Sequence, residues 1–473
     1  RDHVTTIQLA LDKDGTFLAL RTETMANVGA YLSNFATVTP TFLHGTLMAG
    51  PYKTPLVYVN VKAVFTNTAP VDAYRGAGRP EATAAIERTI EMFAQACGLD
   101  STEVRRKNYI KPSAFPLTTS MGAAYDSGEY EKALDMALTA SGYQALRAEQ
   151  KARRDRGDVV QIGIGVASYV ETTNPMGSGE YGAVEITNDG GAIVRTGSSS
   201  HGQGHHTSWA MIVSQKTGIP MDKIEFRFGD TDDIERGNGT GGSRSLQVGG
   251  TAAQMAAENV IEIARQKAAD LLEAAPEDVV LDAATGAFHV VGSPRPSKTW
   301  AEIAIASPVA LFAEADFTPE GATFPFGTHV SVVEVDTETG SVAIVRHIAC
   351  DDAGTILNPL IVDGQVHGGV AQGIAQALLE EVRYDDGGNP ITSNLADYAF
   401  ITAAELPSFE RIPMETPTPR NPLGAKGIGE AGTIGATPAV QNAVIDAVHH
   451  LGVQHIDMPC TANRVWAALQ SVR

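Results

Sequence analysis

Cysteine is nearly absent: Cys97, Cys350 and Cys460 are the only three in 473 residues, and each stands more than a hundred residues from the next. That spacing excludes a disulfide framework and any CxxC-type zinc or iron–sulfur site on this chain, and it points to a reducing, cytoplasmic setting. Positive charge is scarce too, with 35 Lys and Arg against 55 Asp and Glu and a net charge of −20. Such a coat repels phosphate backbones and anionic lipid, so neither nucleic acid nor a membrane surface is an expected partner. Long apolar runs are missing as well. The run from Leu56 to Val64 is broken by Tyr58, Asn60 and Lys62 and falls far short of the roughly 20 residues that cross a bilayer. No leader pattern opens the sequence, which starts at Arg1, so the start reads as a processed or internal boundary, or as the tail half of something longer. No GxxxxGK[ST], GxSxG or HExxH motif occurs, which removes the commonest phosphate-loop and hydrolase signatures.

What is present is a globular composition, 43% apolar and 19% charged, over a length that allows about three domains or subdomains. Strand–turn–strand grammar appears three times: around Asp12–Gly15, around Asn188–Gly191 and around Asp336–Gly340. Helical spacing joins Ala82, Ile86, Ile90, Phe93 and Cys97, opening at Pro80 and closing at Gly98. Thr437 and Pro438 read as cap and first position of a helix that runs to Gly452. Further helices are predicted over 251–274, 365–381 and 461–472. Hairpins mixed with helices, without a regular βαβ beat, predict an α+β fold. The polar stretch 147–158 reads as a linker, dividing the chain into 1–150 and 151–473.

The 47 glycines collect in five loops: 75–79, 201–205, 237–244, 364–373 and 424–435. Gly-rich turns that feed helix starts expose backbone N–H groups and let the main chain approach an anionic ligand. Two of them contain GxGxxG, at Gly237/Gly239/Gly242 and Gly427/Gly429/Gly432, but neither directly follows a strand, which weakens a dinucleotide-fold reading.

Ala73-Tyr74-Arg75-Gly76-Ala77-Gly78-Arg79-Pro80-Glu81-Ala82, His201-Gly202-Gln203-Gly204-His205 and Gly424-Ala425-Lys426-Gly427-Ile428-Gly429-Glu430-Ala431-Gly432 occur in that order. Together they resemble the large subunit of the molybdenum hydroxylases, the xanthine oxidase, aldehyde oxidase and carbon monoxide dehydrogenase family. The likeness covers the later part of such a subunit. It implies two molybdopterin-binding domains of short mixed sheets and helices, 1–150 ending the first and 151–473 forming the second, with Gly-rich loops converging on a molybdopterin, expected as the cytosine dinucleotide form. Carried over by residue, it implies that Tyr74, Arg75, Gly76 and Ala77 line the metal side, that His201, Gly202, Gln203 and Gly204 contact the pterin, and that Gly241, Gly242, Ser243, Arg244 and Ser245 sit against pterin and phosphates. Gln372 reaches the pterin, Gly429 flanks the site and Glu430 is the general base. No side chain is expected to ligate molybdenum directly. The implied reaction is hydroxylation of an electron-poor carbon with oxygen drawn from water. Lys426, four residues before Glu430, is placed to keep that carboxylate ionised.

The resemblance also implies partners: [2Fe–2S] and FAD subunits, since three scattered cysteines cannot bind clusters, and an upstream molybdopterin-domain half or chain. Carbon monoxide dehydrogenases of the family carry a cysteine after the loop arginine, where this chain has Gly76, and Cu(I) needs a soft thiolate. An aldehyde or N-heteroaromatic substrate is therefore expected rather than carbon monoxide. Bland readings stand beside these: a solvated Glu430, a surface ion-pair group of Arg75, Arg79 and Glu81, and a core position for Cys97 on its apolar helix face. The rivals at whole-chain level are a catalytically silent scaffold of such a complex and an acidic sugar- or nucleotide-binding protein.

Overall fold

The structure, a computed structural model, describes residues 2–472. Burial alternates along β1 (His3–Leu11) and β2 (Phe17–Asn27), the mark of a sheet with one face covered. The Asp12 side chain closes the turn between them by accepting from the amides of Asp14 and Thr16. β3 (Leu56–Val64) adds to β2 in parallel. The chain then runs through α1 (Arg79–Cys97), α2 (Ser101–Asn108), the short pair β4 (Leu117–Thr118) and β5 (Ala124–Tyr125), α3 (Tyr130–Ser141) and α4 (Tyr143–Arg156). α1 ends where expected, at Gly98 with φ 64°.

Beyond α4 lie β6 (Val160–Val170), β7 (Glu180–Ile186), β8 (Ala192–Thr196), α5 (His205–Thr217), β9 (Ile224–Arg227), α6 (Thr251–Leu272), β10 (Val279–Asp282), β11 (Ala287–Val290), β12 (Ser293–Thr299), α7 (Trp300–Ala306) and β13 (Leu311–Phe317). β14 (Phe326–Asp336), β15 (Val342–Asp352), α8 (Pro359–Leu378), β16 (Glu410–Met414), α9 (Ala431–Val448) and α10 (Ala462–Gln470) complete the chain. One four-stranded sheet has the order β16-β15-β14-β6, a second β13-β7-β8-β9, and a three-stranded sheet β10-β11-β12. The architecture is α+β, as predicted, with small mixed sheets and helices.

Small residues set how the central sheet meets its helices. A Cβ on Gly163 or Gly165 of β6 would stand 1.9 Å from the Ala443 carbonyl or 2.0 Å from that of Ala439. α9 therefore lies directly on the strand backbone. On its other side it meets α8 at Gly369 and Gly373, whose Cβ positions would fall 3.1 Å from Gly432 and 2.8 Å from Ala436. One apolar cluster joins Val104, Tyr109 and Tyr130 to Ile164, Val166, Phe326 and Val330, so both sides of position 150 share a core.

Three local expectations change. α9 begins at Ala431, not at Thr437, and Pro438 lies inside it. A proline there forfeits one intrahelical bond, but the helix is buried on both sides and the Thr437 hydroxyl donates to the Thr433 carbonyl at 2.9 Å, so packing outweighs the break. α8 starts at Pro359, earlier than expected, because Asn358 caps it by accepting from the Ile361 amide at 3.2 Å. The predicted linker over 147–158 is mostly α4, held by Arg153–Glu149 at 2.9 Å and by Arg147–Asp446 at 2.7 Å, the second tying it to α9.

Candidate active site

The early start of α9 places Glu430 immediately before its first residue, at the floor of a cleft of about 840 Å³. The loops at 73–79, 201–205, 238–246, 353–365 and 426–430 form the walls. Of the residues singled out from sequence, Tyr74, Arg75, Ala77, His201, Gly202, Gln203, Gly241, Gly242, Ser243, Arg244, Ser245, Gly429 and Glu430 line the cleft. Gly76, Gly204 and Gln372 stand just behind its wall. The Gly76 amide donates to Glu430 Oε1 at 3.0 Å, and Gln372 accepts from Arg75 at 3.2 Å. Gly204, with φ 78°, opens α5 against Ile361.

Arg75 works as a brace. Its guanidinium donates to the carbonyls of Gly429 and Gln365 and to the side chains of Gln365 and Gln372, which locks the 73–79 loop to α8 and to the approach to α9. Arg244 likewise donates to the carbonyls of its own loop, at Asn238 and Gly239. Ser243, at φ 52°, donates to Glu430 Oε2 at 2.8 Å. Gly427 admits this contact, since a Cβ there would fall 1.9 Å from the Ser243 carbonyl.

The cation beside Glu430 is not Lys426. That lysine is fully buried and pairs with Asp352 at 2.8 Å, on the far side of its loop. Arg79 takes the role, with Nη2 at 3.1 Å from Glu430 Oε1 and at 3.5 Å from Glu171 Oε1. Burial pushes the Glu430 carboxyl up, but Arg79, Glu171, Ser243 and the Gly76 amide together outweigh it and hold the group below the usual glutamate range. A base must be ionised to accept a proton, and Glu430 is kept so.

Sequence reasoning assigned Arg79 only to a surface pair and passed over Glu171 and Gln365. Arg79 is 1% exposed, and Glu171 is fully buried. The available signal was a glutamate at the end of the apolar run Ile162–Val170, where a charge is out of place unless something pairs with it.

The cleft fits a large, polar, anionic cofactor. Side chains at Gly202 and Gly241 would meet open space, so backbone faces the cleft there. Two donor-capable groups in its wall, Trp209 Nε1 and His205 Nδ1, are buried without a hydrogen-bond partner. Among the described residues, no group of three or more His, Cys, Asp and Glu side chains is placed to hold a metal ion, so a metal here would arrive with its own ligand.

Two family models of the molybdopterin cofactor-binding domain match this chain, over residues 1–109 and 136–407. The chain belongs to the molybdopterin-binding family of the molybdenum hydroxylases. It is 39% identical to the carbon monoxide dehydrogenase large chain of Hydrogenophaga pseudoflava over 99% of its own length and 61% of that relative. Reconstituted CO dehydrogenase from Oligotropha carboxidovorans superposes with a TM-score of 0.92 at 37% identity, covering 100% of this chain and 61% of that one. Quinoline 2-oxidoreductase from Pseudomonas putida 86 does so with a TM-score of 0.92 at 34% identity, over 99% and 62%. This molybdenum hydroxylase chain thus spans about three fifths of the length of these relatives.

Proposed function

We propose that the chain is the catalytic portion of a molybdenum hydroxylase that oxidises an N-heteroaromatic compound or an aldehyde, with Glu430 as general base. The observation that carries this reading is the Glu430 constellation: an ionised carboxylate at a cleft floor, fixed by an amide, a hydroxyl and a guanidinium at 3.0, 2.8 and 3.1 Å. Hydroxylation of R–H by water gives R–OH, two electrons and two protons. The bound molybdopterin centre supplies the redox chemistry. The chain supplies a proton acceptor at Glu430, loop amides to hold the pterin at 201–204 and 241–245, and the Arg75 brace that keeps the loops in register. In this reading the electrons pass to [2Fe–2S] and FAD partners, and the molybdopterin is the cytosine dinucleotide form.

Gly76 separates the substrate classes. With φ 98°, a Cβ there would fall 2.5 Å from the ring of Pro80, so this loop shape has no room for a thiolate that could hold Cu(I). That favours a substrate oxidised at a C–H bond over carbon monoxide. Division near residue 150 into two cofactor-binding units is part of the proposal, although the two family matches part earlier, between residues 109 and 136. A silent scaffold would have no use for an ionised, cleft-facing carboxylate.

The test is Glu430→Gln in the complex with its partners. Molybdenum and pterin content stay at the wild-type level, and turnover falls by about 10² to 10⁴, the usual range for a general base. Wild-type turnover in that variant would place the base elsewhere.

A further inference from the structure

Glu171 follows the last residue of β6 and is fully buried beside Glu430. Its amide donates to the Pro325 carbonyl at 2.8 Å, but neither oxygen of its carboxyl accepts a hydrogen bond. A buried carboxylate whose one donor, Arg79 Nη2, stands at 3.5 Å and is shared with Glu430 is costly, whereas a protonated carboxyl needs only an acceptor. Glu430 is the acceptor at hand, since one nitrogen, Arg79 Nη2, stands 3.1 Å from Glu430 Oε1 and 3.5 Å from Glu171 Oε1 and so holds the two carboxyls side by side. The charge count agrees. Among the described residues Arg79 is the cation in ion-pair contact with both, whereas Arg75 gives its hydrogen bonds to carbonyls and amides and adds only its nearby charge.

We propose that Glu171 is a protonated positioning residue: its buried carboxylic acid donates a hydrogen bond to Glu430, so that the pair carries one negative charge, matched by Arg79, on the carboxyl that faces the cleft. Burial, reinforced by the charge on Glu430, pushes Glu171 well above the usual range, while Arg79 counters only in part. The titratable and charged neighbours of the pair are Arg79 from α1, Arg75 from the adjoining loop and Tyr169 from β6, whose hydroxyl donates to Asp351. Protonated, Glu171 does for Glu430 what Ser243 does from the opposite side. It holds the oxygen in place and favours its charged form.

This inference rests on Glu430 being the base, and the experiment separates the two. In the holoenzyme complex, infrared spectroscopy at neutral pH is expected to show a protonated carboxyl C=O band that Glu171→Gln removes and that Glu430→Gln shifts by altering its acceptor. This readout needs no turnover, so it stands even if Glu430 proves not to be the base. Absence of the band overturns the proposal. The acid limb of the pH profile of kcat/KM gives the second readout. Glu171→Gln keeps a donor and no charge, so the limb keeps its position whatever happens to the rate. Glu171→Leu removes the donor, so the limb moves up by about one to two pH units, the worth of a hydrogen bond to a charged group. A limb that moves down in Glu171→Gln would mean that Glu171 is ionised and repels Glu430. A limb unmoved in Glu171→Leu would mean that the two do not communicate. Either result overturns the proposal.

Discussion

At the scale of single residues, placement rather than identity decides the chemistry. Lys426 lies four residues from Glu430 in sequence and Arg79 lies in a different motif, yet Lys426 turns inward to Asp352 and Arg79 reaches Glu430. His205 shows the same dependence on surroundings. Its ring packs at a tilt against Trp209 with centroids 4.7 Å apart, and burial, then the neighbouring His201 and His206, push its pKa from 6.5 down to about 4. Between those values the unfolded chain binds a proton that the folded chain does not, so stability rises with pH through that window. The contribution is fully present above about 6.5 and is lost as pH falls through about 4. His205→Phe keeps the ring contact and removes the proton. Its thermal midpoint is expected to vary less with pH than the wild type's between those limits, and an unaltered pH dependence would contradict the assignment.

At the scale of elements, close backbone approach holds the site's platform together. α9 carries Glu430 at its start and lies on β6 through Gly163 and Gly165. Gly165→Ala places a methyl group 2.0 Å from the Ala439 carbonyl, an overpacking that costs about 1–3 kcal/mol or more. Gly98→Ala at the end of α1 meets no neighbouring atom and carries only its left-handed φ of 64°, a penalty of about 1–2 kcal/mol. Denaturant unfolding of both variants measures the contrast. A Gly165→Ala chain as stable as the wild type would mean that the helix does not rest on the strand as described.

The elements legible in the sequence are those with local causes. The Asp12–Gly15 turn has its own side-chain hydrogen bonds, and α1 carries its proline, its apolar spacing and its terminal glycine within one segment. The start of α9 was misread because its cause is tertiary. Pro438 looks like a first position, and only contact with β6 and α8 carries the helix back to Ala431. The ordered Gly-rich motifs marked part of the cleft lining and left out its stretches at 174–178 and 353–362. Glu171 escaped because its partner, Glu430, lies 259 residues away in sequence, and Arg79 because a helix-start arginine looks like a surface residue until its burial is seen.

At the scale of the whole molecule, scarcity of cysteine and abundance of glycine express one division of labour. Cys350 and Cys460 are buried with thiols pushed up to about 12 by burial, and Cys97, expected in the core, is exposed at the end of α1. None is placed for a cluster, so the proposal assigns electron transfer to partner subunits and leaves this chain to cradle the pterin. No helix among the described residues is long and apolar enough to cross a membrane. The central claim, that the cleft holds a molybdopterin centre, is tested most directly by elemental and pterin analysis of the native complex purified with its partners. One molybdenum and one pterin per copy of this chain is the expected result. A complex that contains neither would contradict it.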